Sequence, residues 1–155
     1  MAKIEKDNAS VGEVQVVAFK LRKEEYGFNI LSVQEIKGLT DITRVPFTPD
    51  FIKGVINLRG SVLPVIDLKK RLGLQPTEYT DSTRIIIVKI EDISVGMIVD
   101  AVTEVLSIDA GHIDTAKSVN ENDGTRFING IGNIDGRLII MLNISEIVGV
   151  PGEAK

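Results

Sequence analysis

Cysteine is absent from this chain, so neither a disulfide framework nor thiolate chemistry is open to it. Tryptophan is absent too, with only two tyrosines and five phenylalanines, so any interior has to be built from Val, Ile and Leu. The single histidine, His112, sits in the polar stretch Ala110-Gly111-His112-Ile113-Asp114 and reads as a solvated loop residue. Without a second histidine or a cysteine there is no ligand set at transition-metal spacing. No run of 18 apolar residues occurs, and Met1 to Asn8 contain no apolar signal core. Motifs that carry chemistry are missing as well: no G-x-S-x-G elbow, and no Walker lysine after a glycine loop. Gly130-Ile131-Gly132 falls in an apparent strand instead of opening a helix, and Asp41, Asp50 and Asp67 are scattered. A net charge of −4 offers no basic face for nucleic acid. The expectation is a cytoplasmic protein without enzymatic activity, metal or cofactor, with no nucleic-acid partner and no direct insertion into a membrane.

What the chain does have is a repeat. Its 155 residues, 43% hydrophobic and 26% charged, describe a globular protein. Phe51-Ile52-Lys53-Gly54-Val55-Ile56-Asn57-Leu58-Arg59-Gly60 returns 76 residues later as Phe127-Ile128-Asn129-Gly130-Ile131-Gly132-Asn133-Ile134-Asp135-Gly136. Each copy runs into an apolar strand, Ser61 to Leu68 and Arg137 to Ile144, and five of the eighteen paired positions are identical. Average composition gives roughly one. Upstream, at a shift of 69, Val16 to Leu21 pairs with Ile85 to Ile90, and Gly27 to Ile36 pairs with Gly96 to Val105. The second copy therefore holds seven extra residues, placed within Ala110 to Arg126. A repeat of this kind governs the reading of the whole fold.

Both copies read as β. Gln15 to Leu21 and Tyr26 to Ile30 flank the polar turn Arg22-Lys23-Glu24-Glu25, and Ile85 to Ile90 with Ile93 to Val99 repeat that hairpin around Glu91-Asp92. Asp135-Gly136 is the favoured pair for a type I′ turn, and Arg59-Gly60 takes the equivalent place. Pro64 cannot donate to a ladder, which predicts an edge or a bulge for its strand. Leu68 to Gly73 and Ser145 to Gly149 read as single helical turns closed by glycine. The predicted organisation is a flexible tail at 1–13, a first repeat at 14–75 and a second at 82–148, with strands open to sharing between them. A barrel of some 60 residues makes a marginal core, so the copies are expected to lean on each other.

Comparing the copies sorts the residues. Gly54 and Gly130, like Gly60 and Gly136, read as structural, supplying positive φ or close packing, and Asn57 and Asn133 as side chains that bond the turn backbone. Arg59 stands apart, because the second copy places Asp135 there, which suits the turn, while a long cation does not. It is either a solvated hairpin-tip arginine or a functional residue. Val33-Gln34-Glu35 and Val102-Thr103-Glu104 form a second pair, read as inward valines with outward glutamates, or as part of a binding surface.

Residues 51–68, centred on Asn57-Leu58-Arg59-Gly60, resemble the signature of the CheW-type chemotaxis coupling proteins. Glu25-Tyr26-Gly27-Phe28-Asn29-Ile30, Val33-Gln34-Glu35-Ile36 and Val95-Gly96-Met97-Ile98-Val99-Asp100 with Val102 are similar to that family too, so the likeness runs from about Glu13 to Val148. It implies an all-β fold of two intertwined, five-stranded SH3-like barrels related by duplication, with short helical turns. It also implies a non-catalytic adaptor joining the cytoplasmic tip of chemoreceptors (methyl-accepting chemotaxis proteins) to the regulatory domain of the CheA histidine kinase in membrane-associated arrays. Its receptor groove between the barrels maps onto Val33, Glu35, Arg59, Val102 and Val105. The alternatives are a CheW-like module of a larger CheV- or CheA-type protein, and an SH3-like binder of a small molecule or RNA. The first needs a receiver or ATP-binding domain on the chain; the start at Met1 and the end at Pro151 to Lys155 are read as those of a complete protein. The second needs a polar pocket or a basic aromatic face.

Overall fold

The computed structural model describes residues 12–115 and 126–149. The first copy supplies β1 (Glu13–Leu21), β2 (Glu24–Asn29), β3 (Val33–Gly38), β4 (Ile52–Leu58), β5 (Ser61–Asp67) and the short helix α1 (Leu68–Arg71). The second supplies β6 (Arg84–Ile90), β7 (Ile93–Val99), β8 (Ala101–Asp109), β9 (Ile113–Thr115), β10 (Ile128–Ile134), β11 (Arg137–Leu142) and α2 (Ile144–Val148). Seven extra residues were expected within 110–126, and most of that span, 116–125, lies outside the described residues, as do residues 1–11 of the expected tail. The helix starts follow from local chemistry: Asp67 and Asn143 sit at equivalent N-caps, each side chain accepting from a backbone N–H three residues on.

Among the described residues the strands form two sheets, ordered β8-β1-β2-β11-β10-β9 and β3-β6-β7-β5-β4. The first hairpin of each copy is thus built into the sheet that holds the later strands of the other. Hairpin β1–β2 joins β11 through a parallel pairing in which Gly27 faces Met141, and hairpin β6–β7 joins β5 through one in which Gly96 faces Val65. This is the intertwining of two SH3-like barrels, and it makes each half incomplete without the other.

The exchange explains the sequence of the exchanged strands. Val16 to Phe19 and Ile85 to Val88 are continuous apolar runs, not alternating ones, because both faces are covered. On β1, Val17 and Phe19 enter a central cluster while Val16 and Ala18 enter the interior of one barrel; on β6, Ile86 and Val88 face the centre while Ile85 and Ile87 fill the other. The central cluster, with Phe19, Phe28, Leu68, Met97 and Ile147, is the largest of the three, so the main core is the seam between the barrels. Arg71 crosses that seam: its guanidinium lies 4.3 Å from the Phe51 ring and 4.9 Å from its repeat counterpart Phe127, and it donates to the carbonyls of Glu146 and Ile147.

The Pro64 expectation needs correction. β5 is an interior strand, paired with β4 and β7. Proline is accommodated because the ladder to β7 begins only at Val65, leaving no partner for an N–H at residue 64. The bulge is across the ladder in β4, where the register shifts between Ile52 and Gly54.

Candidate functional site

The two hairpin tips have the same backbone. Arg59 and Gly60 have φ of 51° and 89°, Asp135 and Gly136 have 52° and 90°, the paired positive values of a type I′ turn. Each is braced alike: Asn57 Oδ1 accepts from the Gly60 N–H at 3.0 Å, and Asn133 Oδ1 from the Gly136 N–H at 2.9 Å. Local structure therefore does not require the arginine. Its side chain leaves the turn 71% exposed, and Nη2 donates to Glu35 Oε1 at 2.6 Å. Beside this pair a shallow cleft of about 370 Å3 is lined by Gln34, Ser61, Val62 and Ser94.

Glu35 has a counterpart in Glu104, and Glu104 also has an arginine, but from a different position. Arg137 donates from Nη1 to Glu104 at 2.8 Å, and from Nε and Nη2 to Glu25 at 2.7 and 2.8 Å. The shift of 76 places Arg137 opposite Ser61, not opposite Arg59. One barrel thus carries an exposed one-to-one ion pair, and the other an arginine shared between two carboxylates. Thr103 Oγ1 lies 3.0 Å from both Glu25 Oε2 and the Ala18 carbonyl oxygen, two acceptors that share its single hydroxyl proton. Bonding from Arg137 holds the Glu25 carboxyl below the usual carboxylate range, against the opposing effect of burial.

A folded-state pKa below the unfolded one adds stability that is present above the ordinary carboxylate range, about pH 4–5, and lost as pH falls through the lowered value. Acid titration of Glu25→Gln, followed by circular dichroism, is expected to show a less stable protein at pH 7 and a shallower loss of stability below about pH 4.5. An acid limb identical to that of wild type would contradict the assignment.

The valines occupy two edge strands. Val33 on β3 and Val102 on β8 both pack on the central cluster. They stand opposite Val88 and Phe19, members of that cluster, so they lie on its face of each sheet. Alternation alone would put Glu35 on the same face as Val33, and Glu104 on that of Val102. Matching register shifts, between Val33 and Glu35 and opposite Ala18/Phe19, turn the glutamates to the other face, opposite Ile87 and Ala18. Val105 returns to the central side, opposite Val17, and is 51% exposed. Its repeat counterpart Ile36, opposite Ile86 and 40% exposed, belongs to the same set. Ile36 was not singled out in the sequence, although the 69-residue register pairs it with Val105. Glu35 and Arg59 are thus brought into contact and share sheet and strand neighbourhood with Val33, while Val102 and Val105 lie on the edge of the other sheet.

The CheW-like domain family model matches residues 15–151. A chemotaxis protein CheW from Klebsiella aerogenes is 39% identical over 139 residues, covering 90% of this chain and 83% of that protein. A crystal structure of the scaffolding protein TtCheW from Thermoanaerobacter tengcongensis superposes with a TM-score of 0.82 at 42% identity, over 90% of this chain and 94% of that one. By contrast, a chemotaxis protein CheV3 from Helicobacter pylori is 24% identical and only 51% of it is covered. On sequence, topology and structural likeness together, the chain belongs to the CheW-like family and is a chemotaxis adaptor.

Proposed function

We propose that the chain works without catalysis in the cytoplasm, coupling the signalling tip of chemoreceptors to a CheA-type histidine kinase within membrane-associated arrays. The Arg59–Glu35 pair carries this reading, because the turn disfavours an arginine and a pair this exposed returns only about 0.2–1 kcal/mol of stability. A receptor tip is helical, and a helix needs apolar positions to receive its knobs and charges to fix its register. Val33, Val102 and Val105, joined by Ile36, provide the first on the two edge strands, and Arg59 with Glu35 provides the second. Recruitment to an array would then run through the receptor; no described helix is itself long and apolar enough to cross a membrane.

Immobilised receptor signalling-tip fragment should retain the wild-type chain and lose Val105→Glu, which puts a carboxylate on the apolar face at an already half-exposed position. Retention of both alike, with the variant folded, would remove β8 from the receptor surface.

A further inference from the structure

The two barrels differ in what fills one recess. In the sheet bounded by β8 and β9, Arg137 projects from β11, and its guanidinium is held by Glu25 of β2 and Glu104 of β8. Thr103 stands beside Glu25. Each of these positions has a counterpart in the other sheet. The shift of 69 pairs Glu25 with Ser94, Thr103 with Gln34 and Glu104 with Glu35, and the shift of 76 pairs Arg137 with Ser61. Strand pairing agrees: Gly27 faces Met141 where Gly96 faces Val65, so the counterparts hold the same places on β7, β3 and β5. One contact survives the change of residues. Ser94 Oγ donates to Gln34 Oε1 at 2.9 Å, where Glu25 and Thr103 meet at 3.0 Å. The arginine does not survive. Ser61 stands in its place, and there the cleft of about 370 Å3 beside Arg59 opens, lined by Gln34, Ser61, Ser94, Val62 and Asp92.

We propose that this cleft is a binding site for a guanidinium group, supplied by an arginine side chain of the protein partner that docks over the Arg59 tip. The chain itself displays the fit, because the same recess in the other barrel holds the chain's own arginine. Charge agrees with it. Arg59 and Glu35 offset one another, while Asp92, exposed and in no ion pair among the described residues, leaves an uncompensated carboxylate at the cleft. The polar lining is rich in acceptors: Gln34 Oε1 keeps a lone pair beyond its bond from Ser94, and Ser61 and Asp92 add oxygens. A guanidinium meets such a lining with a planar fork of N–H donors and no acceptor, which the point charge of a lysine matches less well. Val62, 66% exposed on the cleft wall, offers apolar surface to the methylene stem of an arginine. An anion fits worse, since Arg59 already donates to Glu35 and Asp92 repels it. The cleft is shallow and covers only one end of a ligand, so the group arrives on a protein surface. Resting on the function proposed above, that protein is the receptor tip; the site itself rests on the comparison of the two barrels.

Amide NMR of the isotope-labelled chain titrated with N-acetyl-arginine amide tests this, with N-acetyl-lysine amide and acetate as comparisons. The arginine compound is expected to shift the signals of Gln34, Ser61 and Ser94 and to saturate at about millimolar concentration, with the lysine compound at least about threefold weaker. Ser61→Arg with Ser94→Glu rebuilds the filled recess of the other barrel and should abolish the response. Asp92→Asn, at an exposed turn position, should fold in any case and weaken the response about twofold or more. Equal responses to arginine and lysine, a response to acetate instead, or a response undiminished in Asp92→Asn overturns the site. The filled-recess variant should also weaken binding of a receptor signalling-tip fragment about tenfold. Unchanged fragment binding beside a lost arginine response upholds the site and overturns the receptor as the source of the arginine. Failure of the wild-type chain to bind the fragment overturns the proposed function and leaves the arginine response standing.

Discussion

Arg59→Asn should leave the chain as stable as before, to within about 0.5 kcal/mol, while weakening receptor binding about tenfold or more. The two halves of this expectation have opposite physical origins. At φ 51° a side chain is in a region where arginine is disfavoured and asparagine tolerated, a gain of up to about 1 kcal/mol. The ion pair that is lost involves a side chain 71% exposed, and such pairs contribute about 0.2–1 kcal/mol. These terms roughly cancel. In the proposed role, receptor binding has no such compensation, because the guanidinium is the one cation of that hairpin tip. The exchange Arg59→Glu with Glu35→Arg sharpens the contrast: it restores an internal pair, so a purely structural role predicts full recovery, whereas a receptor-facing role predicts that binding stays lost. Urea denaturation and a receptor-fragment titration on the same preparations decide between them.

Gly54→Ala is expected to have the largest effect on stability, about 3 kcal/mol or more. Gly54 has a φ of 154°, and an added Cβ would run into the Thr43 carbonyl oxygen and the Ile42 side chain. That carbonyl accepts the Val55 N–H that ties the β3–β4 segment to the barrel, so the methyl group cannot be admitted without breaking the bridge. Gly130 repeats the arrangement against the Asp114 carbonyl, and Gly130→Ala should behave in the same way. Gly60→Ala is the control. Its φ of 89° is also unfavourable to alanine, but nothing lies within 4 Å of the added atom, so its cost is about 1–2 kcal/mol. Equal urea midpoints for Gly54→Ala and Gly60→Ala would contradict this account of the close approach.

These residues also show what a sequence exposes and what it hides. The repeat, the hairpins and both helical turns were legible because each rests on local signals: aliphatic runs, Asp-Gly and Arg-Gly turns, closing glycines. The turn-bracing asparagines and the oddity of Arg59 came from comparing one copy with the other. The intertwining came from the resemblance and not from the residues themselves, since exchanging β1–β2 for β6–β7 changes no local pattern and shows only as double-faced apolar runs. The bulges at Gln34 and Thr103 were hidden as well. They turn Glu35 and Glu104 to the opposite face from Val33 and Val102, and nothing in Val-Gln-Glu or Val-Thr-Glu marks an extra residue. Arg137 and Glu25 are 112 residues apart, so their pairing depends on the parallel contact of β2 with β11. Pro64 misled for a related reason, because a strand can be interior while one of its residues still faces an unfilled stretch of ladder.

The proposed coupling requires that one chain hold two partners on separate surfaces. Sedimentation velocity of a receptor signalling-tip fragment mixed with the kinase regulatory domain, with and without the chain, tests it most directly. The account predicts a boundary containing all three components that grows with added chain, and that is lost when the chain carries Arg59→Asn. Competition between receptor fragment and kinase domain for a single surface of the chain, with no three-component boundary, would contradict it.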